Sequence, residues 1–208
     1  MMVYDKKLKK AKKNLIKKYH SILDFKKKLV YSKQIHSDII KIIQNDGFAG
    51  ECDSIVSNNK NNILGIQVAD CLPIFIVNQK DNIISLVHAG WRGTFNEILV
   101  KTMIVIKKKF KVKKKNFLFF FGPSIKQCCY EVDYDVSSKF NVKYSKKINN
   151  KYMLNLNSIN IEQLYSIGIK NNQIFFDKCC TFCSLKEFHS FRRDGESSGR
   201  NICFLGID

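Results

Sequence analysis

Proline is nearly missing from this chain: Pro73 and Pro123 are the only two, and Trp91 is the only tryptophan. No Pro- or Gly-rich linker and no internal repeat divides the sequence, so residues 1–208 read as one domain, long enough for a substantial core. Also missing is any apolar run near the roughly 20 residues that a membrane helix requires. The longest, Phe117 to Phe121, is flanked by Asn116 and Gly122. The lysine-rich stretch from Met1 to Lys18 lacks the apolar segment and small-residue cleavage site of a secretory signal. These absences argue for a cytoplasmic protein with no membrane partner. In that compartment the eight cysteines read as thiols, metal ligands or catalytic groups and not as a disulfide framework.

Arginine is scarce as well. Of 36 basic residues only Arg92, Arg192, Arg193 and Arg200 are arginine, while Lys, Asn and Ile abound throughout. An AT-biased coding sequence gives this pattern, so the formal charge of +18 reads as compositional drift. No basic patch interleaves with stacking aromatics as strand-binding proteins require, which argues against a specific nucleic-acid partner. A hydrophobic content of 45% excludes global disorder despite the charge.

Residues that persist against such a bias mark where function resides, and they cluster. Both prolines, the tryptophan and all four arginines fall in four segments: Ala69 to Ile74, His88 to Thr94, Gly122 to Val132, and Phe188 to Asn201. Lys6 to Leu23, free of Gly and Pro, fits a surface helix that includes His20. Lys28 to Gln34 and Ile63 to Val68 read as strands, and Ile74 to Val77 with Ile83 to Val87 as a hairpin about Gln79 to Asn82. Asn96 to Lys109 reads as a helix and Asn116 to Phe121 as a buried strand. Ser158 to Ile167 reads as a further helix ended by Gly168, with strands at Gln173 to Phe176 and Ile202 to Leu205. The four segments therefore lie at strand ends and in loops, where rigid scaffolds carry function.

A catalytic zinc takes about three protein ligands and keeps an open fourth position. His36, Cys71 and His88 are candidates, each at a strand end, although their wide spacing is a weak signal alone. The competing metal reading joins Cys179, Cys180 and Cys183 with Cys128 or Cys129. The Cys180-x-x-Cys183 pair has suitable spacing, but no second such pair follows it, and buried thiols packing as small hydrophobes are the preferred expectation.

At these segments the chain resembles the polyphenol oxidase or laccase-domain family, multicopper polyphenol oxidoreductase-like proteins regarded as purine nucleoside phosphorylases. The residues that carry the resemblance are Gln34-x-His-Ser, Ala69-Asp-Cys-Leu-Pro, His88-Ala-Gly-Trp-Arg-Gly, Gly122-Pro-Ser-Ile with Cys129-Tyr-Glu-Val, Cys180-Thr, and Ser190-Phe-Arg-Arg-Asp-Gly with Gly199-Arg. They occur in the family's order from about Lys28 onward. The resemblance implies zinc at His36, Cys71 and His88. It also implies an α+β fold of mixed β-sheets packed together with helices outside, similar to the catalytic domain of cytotoxic necrotizing toxins. The implied activity is phosphorolysis of adenosine, inosine and methylthioadenosine, with adenosine deamination beside it. Copper-dependent phenol oxidation is a further expectation, but zinc suits this site better, because it lacks redox chemistry and accepts a three-ligand open tetrahedron. Family members usually begin with an additional Gly- and Asn-rich segment, so this chain reads as a catalytic domain with a shortened N-terminus.

Within that chemistry Asp70 is the first expected acid or base and Glu131 the second, while Arg92 and Arg193 are expected to grip phosphate through two-pronged guanidinium contacts. Asp70 reads equally well as a turn cap. Trp91 and Phe191 read as core residues or as purine-stacking faces, and His189 as a satisfied or exposed histidine. A cysteine hydrolase with Cys71 as nucleophile and His88 as base is a second class, and a basic binding protein a third. Oligomeric state is not encoded in these patterns.

Overall fold

The computed structural model describes residues 2–5 and 28–207; the helix expected at Lys6 to Leu23, with His20, lies outside them. The architecture is α+β, with three sheets among the described residues. A five-stranded sheet runs β1 (Met2–Asp5), β14 (Arg200–Leu205), β6 (Asn62–Val68), β2 (Lys28–Lys33), β4 (Gly47–Glu51). A six-stranded sheet runs β13 (Ile174–Phe176), β9 (Leu118–Phe121), β7 (Leu72–Asn78), β8 (Ile83–Ala89), β5 (Ser54–Ser57), β3 (Ile40–Ile42). A small third sheet joins β10 (Glu131–Val132), β12 (Lys151–Leu154) and β11 (Ser145–Ile148). Both large sheets are mixed: β2 lies parallel to β4 and β6, whereas β7 and β8 form the antiparallel hairpin expected about Gln79 to Asn82.

The period of two along a strand explains how the layers stack. In β8, Ile83, Val87 and Ala89 join the core against helix Ile98–Phe110, while Ile84 and Leu86 point the other way into the core shared with Val30, Leu64 and Ile66 of the five-stranded sheet. All seven residues of β8 are buried because both of its faces are covered. His88 continues the row of Ile84 and Leu86, and so reaches the rim of the space between the sheets. By the same alternation Asp53, two residues before Ile55, falls on that same face.

The helix expected at Asn96 to Lys109 is present as Ile98–Phe110. Trp91–Phe95 and Ile98–Phe110 are separate helices, since Glu97 takes a left-handed backbone (φ 57°) that no continuous α-helix accommodates. The later helix spans Leu156–Ser166, starting earlier than expected because the Asn155 side chain caps it by accepting from the Ser158 amide. Strands β3, β4, β5 and β10 to β12 were not expected from sequence.

Phe119 is fully buried at the centre of the helix-facing core. Phe119→Ala is expected to lower stability by about 3–5 kcal/mol, seen as a lower denaturant midpoint at unchanged slope. A loss below about 1 kcal/mol would contradict the placement of that core.

Candidate metal centre and active site

His36 lies in the loop after β2, Cys71 directly before β7, and His88 near the end of β8, so the two large sheets deliver one ligand group to a common point. Their donor atoms all lie within 4.8 Å of one another, a group able to hold a metal ion. Cys71 Sγ stands 3.7 Å from His36 Nε2, and the two imidazoles meet edge to face with centroids 4.9 Å apart. Two neighbouring backbones are strained: His36 has φ 58° and Asp70 φ 83°, conformations that non-glycine residues rarely adopt and that gather at functional sites. Gly90 supplies the clearance, because a Cβ there would sit 3.1 Å from Cys71 Sγ and 3.3 Å from His36 Cδ2.

The residue that organises the centre is one that sequence reasoning missed. Asp53 is fully buried, and its Oδ1 accepts from His88 Nδ1 (2.7 Å) and the His36 amide (3.1 Å). Its Oδ2 accepts from the Ile35 amide (3.2 Å), the Ser37 amide (2.7 Å) and the Ser37 hydroxyl (2.6 Å). Burial pushes the carboxyl pKa up, but these donors, His88 foremost, outweigh it and hold the group at about 2. An ionised carboxylate can only accept, so His88 carries its proton on Nδ1 and turns Nε2 toward Cys71 and His36. Burial raises the Cys71 thiol pKa, yet His88 and His36 bring it down to about 6. His88 is disfavoured as a cation by burial, but Cys71 and Asp53 lift it to about 9. A thiol this easily ionised is already close to the form a metal needs.

The triad opens on a cavity of about 800 Å³. Its walls include the aromatic side chains Tyr31, Phe48, Tyr130, Phe191 and Phe204, and the cations Lys33, Arg192 and Arg200. Asp70 also lines it, but both carboxylate oxygens are engaged: Oδ1 accepts from Thr181 Oγ1 (2.7 Å) and Oδ2 from the Arg192 amide (2.7 Å). The other expected catalytic residues fall elsewhere. Arg193 turns inward, donating to Asp194 and to the carbonyls of Thr181, Phe182 and Phe188, which occupies its whole guanidinium. The neighbouring Arg192 takes the place at the cavity, donating to the Glu131 carbonyl and lying over the Tyr130 ring. Arg92 is exposed and stacks on Trp91, 4.4 Å from the ring centroid, away from the cavity lining. The Glu131 carboxylate faces Lys151 at the surface. Of the two aromatic candidates, Trp91 packs on the small core around Leu154 and Leu156, whereas Phe191, half exposed, lines the cavity. His189 is buried, with its ring against Gly199.

A metal-capable His₂Cys group opening onto an apolar, cation-edged cavity defines an α+β protein built around a reactive centre. The chain belongs to the family described as multi-copper polyphenol oxidoreductase laccase, whose model matches residues 4–208. It is similar to a purine nucleoside phosphorylase of Clostridium acetobutylicum, 34% identical over 84% of this chain and 75% of the relative. A purine nucleoside phosphorylase of Borreliella burgdorferi is 34% identical over 94% of this chain and 88% of the relative. Among solved structures, YlmD of Geobacillus stearothermophilus superposes with a TM-score of 0.86 at 26% identity, covering 91% of this chain and 77% of that one. The Bacillus licheniformis hypothetical protein YfiH gives 0.85 at 28%, covering 94% and 80%. No helix among the described residues is long and apolar enough to cross a membrane.

Asp53→Asn places an amide where five donors converge, and is expected to cost about 3–5 kcal/mol and to weaken zinc binding about 10- to 100-fold, by thermal unfolding and competition with a chromogenic chelator. Gly90→Ala is expected to weaken zinc binding with little loss of stability. Unchanged zinc affinity in both would show that the ion binds elsewhere.

Proposed function

We propose that the chain is a zinc-dependent purine nucleoside phosphorylase acting on adenosine, inosine and methylthioadenosine, with adenosine deamination as a second reaction at the same centre. The observation that carries this reading is the meeting of the metal-capable triad with aromatic faces and three cations in one cavity, whose volume lies within the about 300–1,000 Å³ of small-molecule sites. The activity named for the Clostridium and Borreliella relatives supports it. The donor set fits zinc, with two imidazole nitrogens, one readily ionised thiol and room for an open fourth position. Zinc, when bound there, supplies Lewis acidity at that position.

In phosphorolysis the C1′–N9 bond breaks, its electron pair leaves with the purine, a phosphate oxygen bonds to C1′, and the purine gains a proton. Free base and ribose 1-phosphate result. The sugar carbon becomes cationic as the bond breaks, so phosphate must be held beside it. Arg192 and Arg200 supply guanidinium forks for that anion and Lys33 a third charge. Tyr31, Phe48, Phe191 and Phe204 offer faces to the purine. Tyr130 also lines this wall, and burial pushes its hydroxyl pKa well above the usual value, so it stays protonated and offers a hydrogen-bond donor beside the centre. Asp70 is a positioning residue, holding the Arg192 backbone and Thr181 together. Deamination exchanges the C6 amine for oxygen from water and releases ammonia.

One observation favours a second reading. Asp53, His88 and Cys71 stand in the order carboxylate, imidazole, thiol, which is the arrangement of a cysteine hydrolase. Such an enzyme keeps its activity when stripped of metal and loses it on thiol alkylation. Copper also suits a His₂Cys donor set, and phenol oxidation in the sense of the family description needs that metal bound.

Zinc-loaded protein is expected to convert adenosine and phosphate to adenine and ribose 1-phosphate, and adenosine alone to inosine, with chelation or Cys71→Ala abolishing both. Wild-type protein that forms neither product removes the reading. Arg192→Ala is expected to raise the KM for phosphate about 10-fold or more, a loss of roughly 1.4 kcal/mol, while the KM for adenosine changes little. An unchanged phosphate KM would assign the anion to other residues.

A further inference from the structure

We propose that Cys128, Cys129, Cys180 and Cys183 form a second, structural metal site that takes a single tetrahedral zinc ion and fastens together two loops of the cavity wall. The four Sγ atoms lie within 4.8 Å of one another. Cys183 stands 3.3 Å from Cys129 and 3.9 Å from Cys128. Four sulfurs arranged tetrahedrally at about 2.3 Å from one zinc are about 3.8 Å apart, which these separations bracket. A polynuclear iron–sulfur cluster places its thiolates on separate irons and spreads them farther. A disulfide needs sulfurs at about 2.05 Å, and all four cysteines are free.

Packing does not account for the cluster. Thiols that pack as small hydrophobes are buried, as Cys52 and Cys203 are, but here only Cys180 is buried while Cys128 and Cys183 are exposed. Cys179, expected as a member, stands apart with its amide donating to Asp177. The surroundings suit an anionic site: the Lys126 amide donates to Cys180 Sγ at 3.4 Å, and the Lys126 ammonium, whose pKa burial lowers, is held toward its charged form by Asp177 and then by Cys180, Cys179 and Cys128. One zinc with four thiolates carries a net charge of −2, which Lys126 partly offsets.

The site's position gives it a purpose. Cys128 and Cys129 precede Tyr130, and Cys180 and Cys183 precede the turn of Phe191 and Arg192, all three of which line the cavity. Between these loops the ties are individually small: Ser124 bridges to Cys180, the Thr181 amide donates to the Ser124 carbonyl at 3.2 Å, the Lys126 amide donates to Cys180 Sγ, and Arg192 donates to the Glu131 carbonyl and lies over the Tyr130 ring. Thr181 in turn donates to Asp70. An ion held by both loops reinforces the contact between Tyr130 and Arg192 across more than fifty residues of sequence. This site does not depend on the phosphorylase reading.

The test uses Cys71→Ala full-length protein, purified under reducing conditions and reconstituted with zinc, so that the His–Cys triad no longer contributes a complete site. It is expected to hold one zinc per chain, with four sulfur neighbours at about 2.3 Å in zinc-edge X-ray absorption. Adding Cys128→Ser and Cys183→Ser is expected to abolish that zinc, with folding checked by circular dichroism. Independently of any substitution in the cluster, zinc is expected to shield these four thiols from alkylation and a chelator to expose them. Zinc-free Cys71→Ala protein, zinc bound by nitrogen or oxygen alone, or a mass short by two hydrogens from a Cys129–Cys183 disulfide would each overturn the proposal.

Discussion

A single buried carboxylate holds this site together. Asp53 lies between the two large sheets with no solvent contact, and five donors from two separate stretches of chain converge on it. Three amides and a hydroxyl belong to the loop after β2, and the fifth donor is His88 of β8. Ionised carboxylates in such a place are stable only when every lone pair is met, and removing one side leaves a costly unpaired group. The geometry of His36, the tautomer of His88 and the register between the two sheets at this rim therefore share one cause. The left-handed backbone of His36 persists because its amide and its neighbours' amides are fastened to Asp53.

From that clamp the functional arrangement extends outward in two steps. The triad lies where strand alternation brings His88 to the rim, with Gly90 leaving room for Cys71 and His36. Beyond it, the cavity wall is shared between the five-stranded sheet, whose strands carry Tyr31, Lys33, Phe48, Arg200 and Phe204, and irregular segments that carry Tyr130, Phe191 and Arg192. Asp70 joins the irregular segments by accepting from Thr181 on one side and the Arg192 amide on the other, so the residue beside Cys71 also sets the position of a cavity cation. The four-thiol cluster brings Cys128 and Cys129, next to Tyr130, together with Cys180 and Cys183 beside Thr181. The centre and its wall are thus coupled through short polar contacts, which is how precise positions are kept on otherwise irregular backbone.

Much of this was legible in the sequence, and the gaps have physical reasons. The β7–β8 hairpin, β2, β6, β9 and β14 show apolar strand patterns, and the scarcity of Pro, Trp and Arg led straight to the segments that build the site. Cys71 and His88 lie in those segments; His36 does not, and the three were joined as candidate ligands through the family resemblance, their spacing alone being a weak signal. Asp53 was not, because a lone Asp between Cys52 and Ser54 carries no local signal; only the fold brings five donors to it. The short strands about it, β3 to β5, were missed since Gly47, Gly50, Glu51 and Asp53 interrupt any alternation. Arg192 and Arg193 cannot be told apart in sequence: in the turn Phe191–Asp194 one points to the cavity and the other inward, and the choice rests on carbonyls of Thr181, Phe182 and Phe188 that come from a separate loop. The helix expected at Asn96 to Lys109 starts two residues later, at Ile98, because Glu97 takes a left-handed backbone that no propensity scale foresees.

The most direct test of the account is a crystal structure of the wild-type protein grown with zinc, adenine and phosphate, with diffraction recorded on both sides of the zinc edge. The account predicts an anomalous peak bonded by His36 Nε2, Cys71 Sγ and His88 Nε2, the His88–Asp53 hydrogen bond intact, adenine against the aromatic wall and phosphate at Arg192 and Arg200. An empty triad in zinc-saturated crystals, or purine and phosphate bound away from this cavity, would contradict it.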